Sequence, residues 1–233
     1  AGTLGAVVYD NKTKEPLILS NNHVLANSTS GKDGRAQVGD PIYQPGPYDG
    51  GTASDQVGVL VKFIPMFRAT ARPDCQIAQS VEKFLNGIIR FSGHDYSVEI
   101  LKNQRTANTV DCALAKPLNR ELLKDEIMGI GKVKGTAQAQ VGMKVRKSGR
   151  TTGLTEGEVI AVDAVIQVKV DERDTALYEN QIVTSNMSQG GDSGSLVLDE
   201  NNAAVGLLFA GSDKATICNR IDLVLKELDV HFQ

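Results

Sequence analysis

Short runs rich in β-branched and aliphatic residues, separated by turn residues, constrain this chain most. "TLGAVVYD", "EPLILS", "QVGVLVKF", "MKVRKSG", "GEVIAVDAVIQVKV", "NQIVTS" and "SLVLDENNAAVGLLF" each read as a strand or a hairpin. In the last of these, "DENNA" joins two apolar runs with the residues a tight turn uses. With 23 glycines and few helical periods, the pattern predicts an all-β protein built as a sandwich or barrel, not from βαβ units. Two stretches depart from it. "CQIAQSVEKFLNGIIRF" spaces Ile77, Val81, Leu85 and Ile88 as a helix would, and "RIDLVLKELDV" does the same with Ile221, Val224, Leu225 and Leu228. Both are expected to lay their apolar faces on the β core. The first lies in a long insertion, about Arg68 to Asn108, for which a lid or a subunit contact is the other reading.

A chain of 233 residues, 41% hydrophobic, can bury a large core as one domain or two small ones. A formal charge of -3 and a pI near 5.7 disfavour nucleic-acid and anionic-membrane partners, which favour concentrated Lys and Arg. The opening "AGTLGAVVYD" has no basic start, no long apolar centre and no initiator Met, which is consistent with loss of an upstream segment. Cys75, Cys112 and Cys218 are odd in number and widely spaced, unlike a disulfide framework or a zinc site. They are expected to be reduced, which favours a cytoplasmic over a secreted setting. Nothing implies a metal or an organic cofactor.

The chemistry concentrates in "MSQGGDSGSLVL", Met187 to Leu198. Alone, these residues fit a tight polar turn as well as a nucleophile. A serine needs a base to become nucleophilic, commonly a histidine oriented by a carboxylate. Of three histidines, His231 is almost terminal and His94 lies in the insertion, whereas His23 ends a strand in "EPLILSNNHVLAN". Asp111, in "NTVDCALAK", precedes a small apolar run that would partly bury it, and Asp55, in "ASDQVGVLV", looks similar. The order His23, Asp111, Ser193 is that of the chymotrypsin arrangement, and Ser195 breaks the G-x-S-x-G of the α/β-hydrolases.

"NNHVLA", "VDCALA" and "GGDSGS" together resemble the signature blocks of the trypsin-like serine proteases. "VRKSGRTTGLTEGEV" is similar to a segment of bacterial secreted members such as α-lytic protease. The resemblance implies two six-stranded antiparallel β-barrels with a C-terminal helix. Residues 1–115 would carry His23 and Asp111, and residues 116–233 Ser193, with the site in the cleft between them. It implies a serine endopeptidase acting on protein or peptide substrates, with an oxyanion hole from the N–H groups of Gly191 and Ser193. The alternative is a protease-fold binding module whose site is silent or regulated, and an esterase using the same triad is also open.

Where family members hold a disulfide in the "RKSGRTTGLTE" block, this chain has Arg146 and Glu156, expected either to pair across strands or to stand as unrelated charges. Asp192 lacks the "IVGG"-type amino terminus that digestive members insert beside it. By the bacterial resemblance Lys147 takes that role, with Arg150 as second choice. The same resemblance puts Met187 at the base of the primary pocket and Phe209, Ala210 and Gly211 on its walls, with Thr216 narrowing the opening. An apolar base disfavours cleavage after Arg or Lys and implies a small or medium apolar residue before the cut. A homo-oligomer through residues 68–108 is a further expectation.

Overall fold

A computed structural model of the chain describes every residue except Arg72, Asp74, Gln104, Arg105, Glu172 and Arg173. The strands are β1 (Ala6–Asp10), β2 (Pro16–Ser20), β3 (Pro41–Tyr43), β4 (Gln56–Phe63), β5 (Thr70–Ala71), β6 (Lys102–Asn103) and β7 (Ala113–Pro117), then β8 (Lys144–Gly149), β9 (Gly153–Lys169), β10 (Thr175–Ser185), β11 (Leu196–Asp199), β12 (Ala204–Gly211), β13 (Ala215–Arg220) and β14 (Val230–His231). The helices are α1 (Asn22–Leu25), α2 (Gln76–Phe91) and α3 (Ile221–Leu228). Two six-stranded antiparallel sheets result. The first runs β14-β1-β2-β7-β4-β3, and the second closes as β10-β13-β12-β11-β8-β9.

The boundary expected at residue 115 falls inside β7, and the C-terminus crosses back, since β14 pairs with β1 through Tyr9↔His231. α3 makes this return possible. Ile221, Val224 and Leu228 are buried between the sheets, and Asp229 in the left-handed region (φ 59°) ends the helix. Lys62 Nζ, from β4, donates to the Leu228 carbonyl at 2.8 Å, satisfying an end-of-helix acceptor and fastening it to the first sheet.

Strand alternation divides the apolar side chains among separate clusters. Leu17, Leu19, Cys112 and Leu114 point to a shared core with Leu196, Leu198, Leu207 and α3, whereas Ile18, Ala113 and Ala115 fill the first unit with Leu60. Val197 and Val205 fill the second barrel with Val145, Val159 and Ile182. Both faces of these strands are therefore buried, which is why they read as unbroken apolar runs rather than as alternation. β3, β13 and β14 are short or polar enough to escape a reading by pattern.

The insertion departs from expectation. α3 is packed as predicted, but α2 has no buried residue, and its apolar face is exposed. It leans on the 98–100 segment through its polar edge, where Asn86 bonds both the N–H and the carbonyl of Val98 at 2.8 Å and Glu82 accepts from Ile100 N–H at 2.9 Å. The insertion is joined to the β9–β10 hairpin by Ala69 N–H to the Thr175 carbonyl at 2.6 Å and by an Arg68–Asp171 ion pair.

Gly5, whose N–H donates to the Leu19 carbonyl at 2.8 Å, is one place where the first unit approaches the second. A side chain there would overlap the backbone carbonyl of Gly194. Gly5→Ala is expected to lower unfolding free energy by about 1–3 kcal/mol, because the obstacle is backbone and cannot swing aside; a urea titration unchanged from the parent chain would contradict this.

Candidate active site

His23 is held by its neighbours. β2 ends at Ser20, and α1 begins after Asn21, whose Nδ2 donates to the Asp111 carbonyl at 2.7 Å. Asn22 accepts from Thr29 N–H at 3.0 Å and donates to the carbonyls of Thr29 and Ile64 at 3.0 and 2.7 Å. Leu25 and Ala26 are buried behind the turn, which leaves the imidazole facing outward at 29% side-chain exposure. Its Nδ1 lies 2.5 Å from Asp111 Oδ2, and its backbone N–H donates to Asp111 Oδ1 at 3.2 Å.

Asp111, 3% exposed, is itself anchored from the second barrel. Its N–H donates to Asn219 Oδ1 at 2.9 Å, Asn219 donates to Gln181 Oε1 at 2.7 Å, and Gln181 donates to the Thr109 carbonyl at 2.9 Å. Asn21, Asn22, Gln181 and Asn219 carried no signal as isolated polar residues. Only "NN" beside the histidine hinted at a bonded turn. Asp55, the other carboxylate considered, closes a capping box with Thr52, whose N–H, followed by its hydroxyl, holds the Asp55 carboxyl below its ordinary range. His94 lies against Tyr96, and His231 bonds Asn11 at 2.8 Å.

The nucleophile turn is tied at its carbonyls. Thr3 N–H donates to the Ser193 carbonyl at 2.7 Å, Thr3 Oγ1 to the Gly191 carbonyl at 3.0 Å, and Gly194 N–H to the Leu208 carbonyl at 2.8 Å. Gly191 and Gly194 have φ of 101° and 96°, a region that glycine enters without a Cβ penalty. Among the described residues, the N–H groups of Gly191 and Ser193 donate to no protein acceptor. Ser193 Oγ lies 3.4 Å from the Phe209 carbonyl.

Beneath the turn, Asp192 and Lys147 are fully buried, with Nζ 3.3 Å from Oδ2. Lys147 also donates to the Gly153 carbonyl at 3.0 Å and to Thr152 Oγ1. Asp192 accepts further from Thr151 N–H (2.9 Å), Thr152 N–H (3.1 Å), Gln189 N–H (2.9 Å) and Thr152 Oγ1 (2.7 Å). Burial pushes its pKa up, but the Thr152 hydroxyl and the N–H groups of Gln189, Thr152 and Thr151 outweigh that, and the carboxyl sits below its usual range. Arg150 goes elsewhere and pairs with Asp49. Arg146 and Glu156 stand opposite in register but form no ion pair; Arg146 donates instead to Asn202 Oδ1 at 2.7 Å and to the Glu200 carbonyl at 3.3 Å.

His23, Asp111 and Ser193 line one cavity of about 770 Å³. Phe209, Ala210 and Gly211 line it together with Ser188, Gln189 and Gly190. Met187 does not form its base. That side chain is 4% exposed and packs in the core of the second barrel with Val145 and Val159, its sulfur beside Gly157. Thr216 is fully buried rather than at the opening; its hydroxyl accepts from Met187 N–H at 3.1 Å and bonds Ser188 Oγ at 2.7 Å. An apolar shelf of Met66, Val168, Val170 and Tyr178 completes the cavity, with the Tyr178 ring 4.6 Å from that of Phe209.

Since the folded pKa of Asp192 is depressed, its contribution to stability is present above about pH 4 and is lost as pH falls through the folded value. Asp192→Asn leaves Lys147 buried and unpaired, and at pH 7 should cost about 3–5 kcal/mol. Urea titrations should show that gap closing below about pH 4; a gap constant from pH 7 to pH 3 would rule out this role.

No protein-family model and no curated protein sequence matches the chain. Solved structures do. A Nocardiopsis protease aligns over 99% of this chain and 91% of its own at 15% identity, with a TM-score of 0.59. The alpha-lytic protease homolog N4 aligns over 99% and 92% at 15% identity and 0.57, and a glutamic-acid-specific serine protease over 100% of both chains at 16% and 0.56. At these identities the likeness is one of architecture: the chain has the chymotrypsin-like double β-barrel fold of bacterial serine proteases.

Proposed function

We propose that the protein is a serine endopeptidase that works through an acyl-enzyme, with His23, Asp111 and Ser193 as its triad. The observation that carries this reading is the 2.5 Å contact of His23 Nδ1 with a buried carboxylate, on a histidine that shares a cavity with Ser193. With Nδ1–H donated to Asp111, Nε2 is the free acceptor and takes the Ser193 proton as Oγ attacks a peptide carbonyl. The developing oxyanion accepts from the unoccupied N–H groups of Gly191 and Ser193. Imidazolium formed beside Asp111 is stabilised by that charge, then protonates the leaving amine. Water repeats the sequence on the acyl-enzyme and frees the acid.

The Lys147–Asp192 pair supports a turn competent without cleavage of the chain. It occupies the place where a freed amino terminus would otherwise be required.

For the residue before the cut, Ser188, whose hydroxyl bonds that of the buried Thr216, lines the cavity in place of the apolar floor expected at Met187. Among the described residues lining the cavity, the charged ones besides Asp111 are Lys169 and Asp213, and both are exposed. This favours an uncharged side chain of small or medium size. The glutamic-acid-specific neighbour uses a histidine triad in substrate binding, whereas here His23 is the one histidine among the described residues lining the cavity, so that preference is not carried over.

A fluorophosphonate probe should label the protein once, by intact mass, and labelling should vanish in Ser193→Ala and His23→Ala. Asp111→Asn should lower kcat by about 10³–10⁴-fold. Absence of labelling on folded protein would replace this reading with a binding module. A peptide library should be cut after uncharged residues; efficient cleavage confined to Arg or Lys would refute the pocket assignment.

A further inference from the structure

α2 wears its amphipathicity inside out. Its polar edge, Glu82 and Asn86, makes the intramolecular bonds, while Ile77, Val81, Phe84, Leu85, Ile88 and Phe91 form a stripe facing solvent. Ile77 is 75% exposed, Phe84 68% and Phe91 96%. Contiguous apolar faces of this size on soluble chains mark contact sites. We propose that the stripe is the contact between two copies of this chain, paired antiparallel through α2 about a two-fold axis at Phe84.

Three observations select a second copy. First, the stripe offers roughly 700 Å² per copy, so mutual coverage removes on the order of 1,400 Å², within the range of specific dimers. Second, the stripe complements itself. Pairing about Phe84 sets Ile77 against Phe91 of the partner subunit at the ends of the stripe, and between them Val81 against Gly87 of the partner subunit and Ile88 against Ser80 of the partner subunit, where a large residue meets a small one. Gly87 has no neighbour among the described residues within 4 Å of the place a Cβ would take, so no contact among them explains a helix-weakening glycine there; close approach by another helix does. Third, α2 carries only Lys83 and Arg90 as cations, both on the face opposite the stripe at 3.6 residues per turn, whereas a helix lying on a lipid surface is rich in such residues.

Sedimentation equilibrium of the whole chain tests this directly. A dimer is expected at micromolar concentration, with Phe84→Glu and Gly87→Leu each weakening association at least tenfold while far-UV circular dichroism is retained. Gly87→Leu is the sharper of the two, because a purely internal role predicts a firmer helix and no change in mass. Oxidation should cross-link Phe84→Cys in a Cys75→Ser background. Native Cys75 should not cross-link to its mate, since antiparallel pairing puts the two about 27 Å apart at 1.5 Å per residue. A parent chain monomeric at high concentration, a dimer indifferent to both variants, or cross-linking through Cys75 would each overturn the proposal. So would a monomer that co-sediments with phosphatidylglycerol vesicles and loses this in Phe84→Glu, which would make the occupant a lipid surface.

Discussion

The carboxylate of Asp192 is the constraint on which the rest of the site depends. It gathers three backbone N–H groups, a hydroxyl and an ammonium in a fully buried position. An isolated ion pair would scarcely repay its desolvation there, and the additional donors change the balance. The backbone donors come from the Thr151–Thr152 turn and from Gln189, so one anion fixes two loops relative to each other. The residues that follow, Gly191 to Ser193, inherit their geometry from that anchor.

A second constraint operates across the barrels. Asp111 belongs to the first unit, yet its N–H is held by Asn219 and, through Gln181, by the second. Thr3, from the amino-terminal segment, grips two carbonyls of the nucleophile turn in the other barrel. Imidazole and serine therefore sit on elements that each barrel helps to position for the other. Buried polar networks of this kind are costly unless every member is satisfied, and in return they define one arrangement of the cleft.

The insertion obeys different rules. β2, β7, β11 and β12 are largely buried on both faces, while α2 leaves its apolar side uncovered and spends its polar side on internal bonds. A monomer gains nothing from that arrangement. Its logic is that of a surface meant to be covered, tied to the β9–β10 hairpin beside the cleft by links that include Arg68–Asp171, Ala69–Thr175 and Thr70–Asp174.

Much of this was legible in the chain. The apolar runs announced the strands, because fully buried strands must be apolar throughout, and "NNHVLA", "VDCALA" and "GGDSGS" pointed to the three residues that share the cavity. Local chemistry sufficed there, since turns and short blocks carry their own residue preferences. Other features were decided by tertiary structure. Met187 lies in the irregular segment between β10 and β11, where no strand or helix period dictates a facing, and its side chain falls into the barrel core, leaving Ser188 to line the cavity. Register brought Arg146 opposite Glu156, but the β11–β12 turn offered it Asn202 and Glu200 instead. Helical periodicity in α2 revealed an apolar stripe without saying what it would meet. Spacing determines which residues share a face, and only the packed chain determines what lies against that face.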